Sequence, residues 1–332
     1  MALMWHRLAS SASPGGSHPG RGRASATGRG PAPLGLPSAP DRRPQTSRRR
    51  PTMPTFDTPA PVLVTLSLAF GQVRIVASDR TQTLVEAYPR DRDDQDDVRT
   101  AERLHIEYAD GRLLVNVPEP GGSGGAVLVV IAVPTGSSVS GQGIVTDFLG
   151  VGELGECRLS TGLGHIRLHR TGSLRLAAAL GDIRVDRAVG TVEVTADHGD
   201  VHLGLAEGKT TITAKGEGDA TVGEVRGVAR LHAEKGCIKV GRAHADVEAR
   251  TSHGDIDVGE VTQGFVAAAT TFGNIRVGVA GTSGAHLSLD SAAGTVYTAL
   301  SLLGADEHSD EVVRVQARTV IGDVVVERSG AG

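Results

Sequence analysis

The chain has 332 residues with a formal net charge of −4, and only 3% of its residues are aromatic. No apolar run approaches the ~18 residues that a membrane-spanning helix needs. Two cysteines, Cys157 and Cys237, exclude a disulfide framework. A core that lacks aromatic side chains favours thin, regular layers of Val, Ile, Leu, Ala and Thr.

Residues 1–52 have a different composition from the rest of the chain. They contain nine Arg and one acid, Asp41, among many Pro, Gly, Ser and Ala residues, so we predict a disordered tail. The remainder carries 25 basic and 37 acidic residues. This acidic body argues against nucleic-acid binding by the folded part. Because the chain lacks the apolar stretch of a secretory signal, we expect a cytoplasmic location.

Residues 53–140 are predicted to form a small β-rich N-terminal cap. Strand-like segments at 104–108 and 112–117 flank Asp110 and Gly111, which is a hairpin signal. The acidic stretch from Asp93 to Arg103 predicts a short helix. The apolar run from Ala126 to Val133 predicts a buried strand.

Residues 141–328 contain an internal repeat, followed by a short tail at 329–332. Each copy has a glycine, one variable residue, and then two mainly apolar residues separated by one position. Successive glycines are 17, 18, 19, 18, 18, 19, 21 and 28 residues apart, and the last gap contains an insertion around 305–310. The predicted turn glycines are Gly164, Gly181, Gly199, Gly218, Gly236, Gly254, Gly273, Gly294 and Gly322.

A second strand precedes each glycine, with apolar residues seven, five and three positions before it. Val192, Val194 and Ala196 illustrate the pattern, with polar residues between them. Period-two alternation is typical of strands with one buried face. The copy before Gly218 is out of phase, because its apolar residues are Ile212 and Ala214. We therefore predict an all-β fold, a single-stranded β-solenoid (β-helix) with rungs of about 18 residues stacked ~4.8 Å apart.

These segments resemble a known family. Met53-Pro-Thr-Phe-Asp-Thr-Pro59, then Gly71-Gln-Val-Arg-Ile-Val-Ala-Ser-Asp79, and then the repeated Gly-Asp-Ile-x-Val units are similar to bacterial β-strand-repeat proteins called putative adhesins. The resemblance covers residues 53–328. It implies a single-stranded β-helix in a domain of unknown function, with no catalytic residues to carry over.

A column of acids follows the turn glycines and suggests two interpretations. Stacked carboxylates can bind Ca²⁺, which makes Asp182, Asp200, Asp219 and Asp255 the metal candidates. However, the Gly-Gly-x-Gly-x-Asp turn of calcium-binding β-helices is absent, and Cys237 interrupts the column. We favour the second interpretation, in which each Asp accepts backbone N–H groups of the turn, and predict no metal site.

No catalytic or cofactor-binding residues are predicted. The repeats contain many histidines, but His198 and His253 are three rungs apart, roughly 14 Å, which is too far to share a zinc ion. Asp257 is expected between Lys239 and Arg276 on an outward column, as in a cross-strand charge ladder. No nucleophile elbow, P-loop or dinucleotide fingerprint is present.

Three functions remain open. The favoured hypothesis is a non-catalytic, adhesin-like binding or scaffold module for an unidentified protein or envelope partner. The second is a polysaccharide-active β-helix enzyme. The third is a structural protein that self-associates through the ends of the solenoid, because the strand Val324–Arg328 ends without an evident cap.

Overall fold

The computed structural model describes residues 54–117, 124–281, 283–300 and 312–329. The predicted disordered tail at 1–52 and the insertion around 305–310 lie outside the described residues, as does most of the short C-terminal tail. Alternating buried and exposed positions run through nearly every described strand, as the period-two pattern predicts.

The N-terminal cap combines six strands and one helix. The hairpin at Asp110 and Gly111 is confirmed, since both residues have positive φ and β4 pairs antiparallel with β5. The helix is confirmed as α1. Its buried Asp97 carboxylate accepts the backbone N–H groups of Asp91 and Ala126, which ties α1 to the start of β6. The elements are β1 (Thr55–Asp57), β2 (Leu63–Ser78), β3 (Gln82–Pro89), α1 (Gln95–Glu102), β4 (His105–Ala109), β5 (Arg112–Asn116) and β6 (Val127–Pro134).

The solenoid begins with one long strand and continues as pairs of short strands. Strand β7 (Ser138–Leu154) lies beside β2, and both strands continue past the corner that divides the later rungs. The rung strands are β8 (Cys157–Leu163), β9 (Ile166–Thr171), β10 (Leu174–Leu180), β11 (Ile183–Ala188), β12 (Val192–His198), β13 (Val201–Ala206), β14 (Thr210–Glu217), β15 (Ala220–Val225), β16 (Ala229–Lys235), β17 (Ile238–Ala243), β18 (Val247–His253), β19 (Ile256–Val261), β20 (Gly264–Phe272), β21 (Ile275–Val279), β22 (Gly284–Ala293), β23 (Val296–Thr298), β24 (Val312–Ile321) and β25 (Val324–Arg328).

The rung strands stack as two parallel ladders. The first ladder contains the strand before each glycine, as in β8–β10–β12, and the second contains the strand after it, as in β9–β11–β13. Identical positions lie over one another, so Ile183 is flanked by Ile166 and Val201. The inward side chains of both ladders form one aliphatic core. The predicted β-solenoid is therefore confirmed.

Glycine is required at the corners because the backbone of the previous rung lies directly against them. Gly236 has φ +152°, and a Cβ there would lie 2.1 Å from the carbonyl oxygen of Gly218. L-residues rarely adopt this backbone conformation. Eight of the nine predicted turn glycines have positive φ. The ninth, Gly294, stacks against Gly322 without adopting that region of φ.

The out-of-phase rung contains a bulge. The pairing of β14 with β16 shifts register between Ala214 and Glu217. This bulge accommodates the extra residue of a 19-residue rung. Ile212 and Ala214 consequently keep their buried positions despite the altered phase in the sequence.

The last two rungs are exchanged in space relative to their order in the chain. Strand β24 lies between β20 and β22, and β25 lies between β21 and β23. The rung made by β22 and β23 is therefore outermost among the described strands. The strand Val324–Arg328, which we expected to end the stack, lies inside it. Its core residues Val324 and Val326 are fully buried.

Replacing a corner glycine tests the packing of the rungs. We expect Gly236→Ala to lower the free energy of unfolding by about 3 kcal/mol, because of its φ and the contact with the Gly218 carbonyl. Gly281→Ala is the matched control, since its Cβ would meet no atom within 4 Å and its φ is not in the glycine-favouring range. Urea denaturation would measure both changes. Equal stabilities for the two variants would contradict this account of the corner.

Candidate functional site

The acids after the corner glycines form hydrogen bonds between rungs. The Asp182 carboxylate accepts the backbone N–H of Asp200 at 3.0 Å, and the Asp200 carboxylate accepts that of Asp219 at 2.9 Å. Asp219 accepts from Cys237 at 2.8 Å. The donor is therefore a backbone N–H group of the next rung, not one of the turn that carries the acid. In the same way, the Asp255 side chain accepts the backbone N–H of Asn274, Asn274 accepts that of Asp323, and Asp323 accepts that of Thr295.

This column has a different acceptor at its second position, between Asp147 and Asp182. Nδ1 of His165 accepts the backbone N–H of Asp182 at 3.0 Å, while Asp147 accepts the backbone N–H of His165. In this arrangement the His165 ring nitrogen replaces a carboxylate oxygen. The column therefore has a structural role that depends on an acceptor atom rather than on negative charge.

Histidines and acids do not converge in the described part of the chain. Within residues 54–117, 124–281, 283–300 and 312–329, no group of three or more His, Cys, Asp or Glu side chains is positioned to hold a metal ion. His253 instead stacks on Phe272, with the ring centroids 4.9 Å apart.

Charged side chains on the outer faces pair along the ladders. Arg175 of one rung pairs with Glu193 of the next at 2.6 Å, and Arg242 pairs with Glu260 at 3.1 Å. These pairs are largely exposed, so each contributes at most about 1 kcal/mol. Asp257 lies between Lys239 and Arg276 as predicted, but the guanidinium of Arg276 bonds to Glu327.

One outer column of the second ladder carries four Arg and one Lys side chain. It contains the third residue after each corner glycine, and Leu149, Thr221 and Asp257 interrupt the basic side chains. Arg74, Arg167 and Lys239 are exposed and form no ion pair among the described residues. We call the following six residues the cationic column: Arg74, Arg167, Arg184, His202, Lys239 and Arg276. Only the Lys239–Arg276 end of this column was predicted from the sequence.

A cavity of about 370 Å³ lies beside the cap. Residues of β2, β7 and α1 line it, including Phe70, Thr100 and Ile144. Its described lining contains no charged, histidine or cysteine side chain. Exposed apolar residues continue from it along the corner, including Leu163 and Leu180. The cavity has no signal in the sequence, because it depends on how α1 packs against the long strands.

Comparison with known proteins identifies the family. The sequence model described as "Toastrack DUF4097" matches residues 65–327, which is most of the chain. The chain belongs to the Toastrack family. This result confirms the resemblance to a bacterial β-strand-repeat domain of unknown function. No curated protein matches the chain.

Several solved structures are similar to this Toastrack chain. A putative adhesin from Bacteroides fragilis is 13% identical, with a TM-score of 0.33, and the match covers 83% of this chain and 97% of that one. A putative lipid binding protein from Parabacteroides distasonis is 13% identical, with a TM-score of 0.38 and coverage of 84% and 97%. A putative cell adhesion protein from Clostridium sporogenes is 10% identical, with a TM-score of 0.24 and coverage of 84% and 100%. At these values the similarities give no argument about what this chain binds.

The described part of this Toastrack chain contains no helix long and apolar enough to cross a membrane. Its single described helix, α1, has eight residues.

Substitution in the acid column distinguishes hydrogen bonding from calcium binding. We expect Asp200→Ala to destabilise the fold by about 1 kcal/mol, because the backbone N–H of Asp219 loses its acceptor. Asp200→Asn retains an acceptor oxygen, as Asn274 does, and should restore most of the stability. Thermal unfolding with Ca²⁺ or with EDTA would check this. A rise in melting temperature with Ca²⁺ that Asp200→Asn abolishes would contradict the hydrogen-bond role.

The two free thiols should react differently. Burial, reinforced by the charge of Glu156, raises the pKa of the Cys157 thiol to about 12. Cys157 therefore stays protonated at pH 8, and the thiolate is the reactive form. We expect a thiol-exchange reagent at pH 8 to modify the half-buried Cys237 and to leave Cys157 intact until the protein unfolds. Equal rates in the native protein, measured by mass spectrometry, would contradict this prediction.

Proposed function

We propose that this Toastrack chain is a non-catalytic binding module that presents the cationic column to a partner with acidic groups. The observation that carries the proposal is the column itself. Its positive side chains lie on one face of the second ladder, within a body whose overall charge is negative. Arg74, Arg167 and Lys239 lack an ion-pair partner among the described residues, whereas Arg184 pairs with Asp186 and Arg276 with Glu327.

The organisation of the remaining polar side chains supports a binding role. Most corner acids accept backbone N–H groups of the next rung, and many outer charges pair within the ladders. The cationic column runs along a ladder whose rungs are ~4.8 Å apart, so its basic side chains lie on one line, with gaps at Leu149, Thr221 and Asp257. A linear pattern suits an extended ligand that makes many weak contacts, since exposed ion pairs are individually weak.

The proposed function can be tested with charge-reversed variants and a panel of acidic polysaccharides as probes. Arg74→Glu, Arg167→Glu and Lys239→Glu, combined in one variant, should weaken binding at least ~10-fold, because attraction becomes repulsion. Binding would be measured by calorimetry at two salt concentrations, and chain length of each polysaccharide would be followed in the same samples. We expect the unsubstituted protein to bind the polysaccharide without shortening its chain.

The matched control reverses the same amount of charge on the first ladder. The control variant combines Arg158→Glu, Arg175→Glu and Arg230→Glu. These three Arg side chains are also exposed. Binding should be reduced much less in this variant, after both variants are shown to be folded by thermal unfolding. Shortened polysaccharide would contradict a non-catalytic role. An equal loss of binding affinity in both variants would contradict the assignment of the cationic column as the binding surface.

A further inference from the structure

The outermost described rung has an open edge. Strand β22 pairs with β24 on one side, and β23 pairs with β25 on one side, and neither has a described strand on its other side. Strand β22 has ten residues, which makes it a long edge. Unpaired edges of this kind bind another strand unless they are covered or charged.

The core positions of this rung are only partly covered. Leu287 and Leu289 are half-buried, whereas Val315 and Ala317, which occupy the same positions in the adjacent rung, are 2% and 1% exposed. On the other strand Val296 is 44% exposed, while its neighbour Val324 is fully buried. The solenoid core therefore reaches solvent at this end.

The opposite end of the stack is closed differently. Strand β2 is flanked by β5 and β6 on the side away from β7. Antiparallel strands then follow, β4 beside β5 and β3 beside β6. The cap end therefore differs from the edge at β22, so a head-to-tail contact would join two unlike edges, whereas a two-fold contact joins β22 to itself.

The sequence of β22 is complementary to itself in an antiparallel arrangement. When two copies pair about a two-fold axis at Ser288, each residue lies opposite the residue of the second copy that is equally far from Ser288 on its other side. His286 then faces Asp290 of the second copy on the outer face, and Leu287 faces Leu289 on the core face. This register keeps inward side chains on the inward face, which strand pairing requires. Asp290 also contacts Arg318 within its own chain at 3.3 Å, and His286 lies beside Arg314.

We infer that the occupant of this edge is a second copy of the chain. Two copies pair β22 to β22 in antiparallel orientation about Ser288, which joins the first ladders of both solenoids and covers Leu287 and Leu289. Polar cross-strand pairs and apolar contacts each stabilise such an edge. A two-fold contact uses the same surface on both chains, so it closes at a dimer and does not extend into a filament.

Cysteine crosslinking tests the register in the full-length chain carrying Cys237→Ser. In Ser288→Cys the two thiols lie on directly opposed residues, with Cα atoms ~4.5–5.5 Å apart, within disulfide range. We expect a disulfide-linked dimer as the main product of mild oxidation. Sedimentation velocity of the unsubstituted chain should show a reversible monomer–dimer equilibrium.

His286→Cys is the matched control on the same exposed face. Its thiol lies four residues, ~13 Å along the strand, from its counterpart in the second copy, so it should crosslink at least ~10-fold less. The double variant His286→Cys and Asp290→Cys should crosslink again, because these positions face each other. The inference is overturned if the unsubstituted chain is monomeric and the Ser288→Cys variant forms no disulfide-linked dimer. That outcome would indicate that residues 301–311 or another protein cover the edge. Equal crosslinking by His286→Cys, or species larger than the dimer, would overturn it as well.

Discussion

The structure depends on the close approach of each rung to the backbone of the rung before it. Backbone hydrogen bonds between rungs require parallel strands at ~4.8 Å, and at the corners this spacing leaves a carbonyl oxygen where a side chain would begin. The corner residue is therefore glycine in rung after rung. The same constraint selects small and β-branched side chains for the interior, because only one thin aliphatic layer fits between the two ladders.

The architecture could be predicted because this constraint leaves a periodic trace in the sequence. A glycine about every 18 residues and apolar residues at alternate positions were sufficient to identify inward-facing residues such as Ile183 and Val194, and both are buried. The phase change before Gly218 also had a local cause, the bulge after Ala214. The exchange of the last two rungs left no such trace. Both rungs carry the same glycine motif, so the motif does not distinguish their order in space.

The candidate site was less predictable for the same reason. The acids after the corner glycines were visible as a column, but their donors lie one rung away, and only the three-dimensional register identifies them. The cationic column could have been predicted in principle, because each of its members is the third residue after a corner glycine. The cavity beside the cap could not, because it depends on how α1 lies against β2 and β7.

The exchanged C-terminal rung also restricts when the native stack can be completed. During synthesis, β22 and β23 leave the ribosome before β24 and β25, yet both of their native neighbours belong to that later segment. Until residue 312 onward has been made, β20 and β21 present an open edge without their native neighbours. Strands β24 and β25 must take their places beside that edge before β22 and β23 can form their native pairings. The end of the solenoid is thus fixed only after the last segment of the chain has been translated.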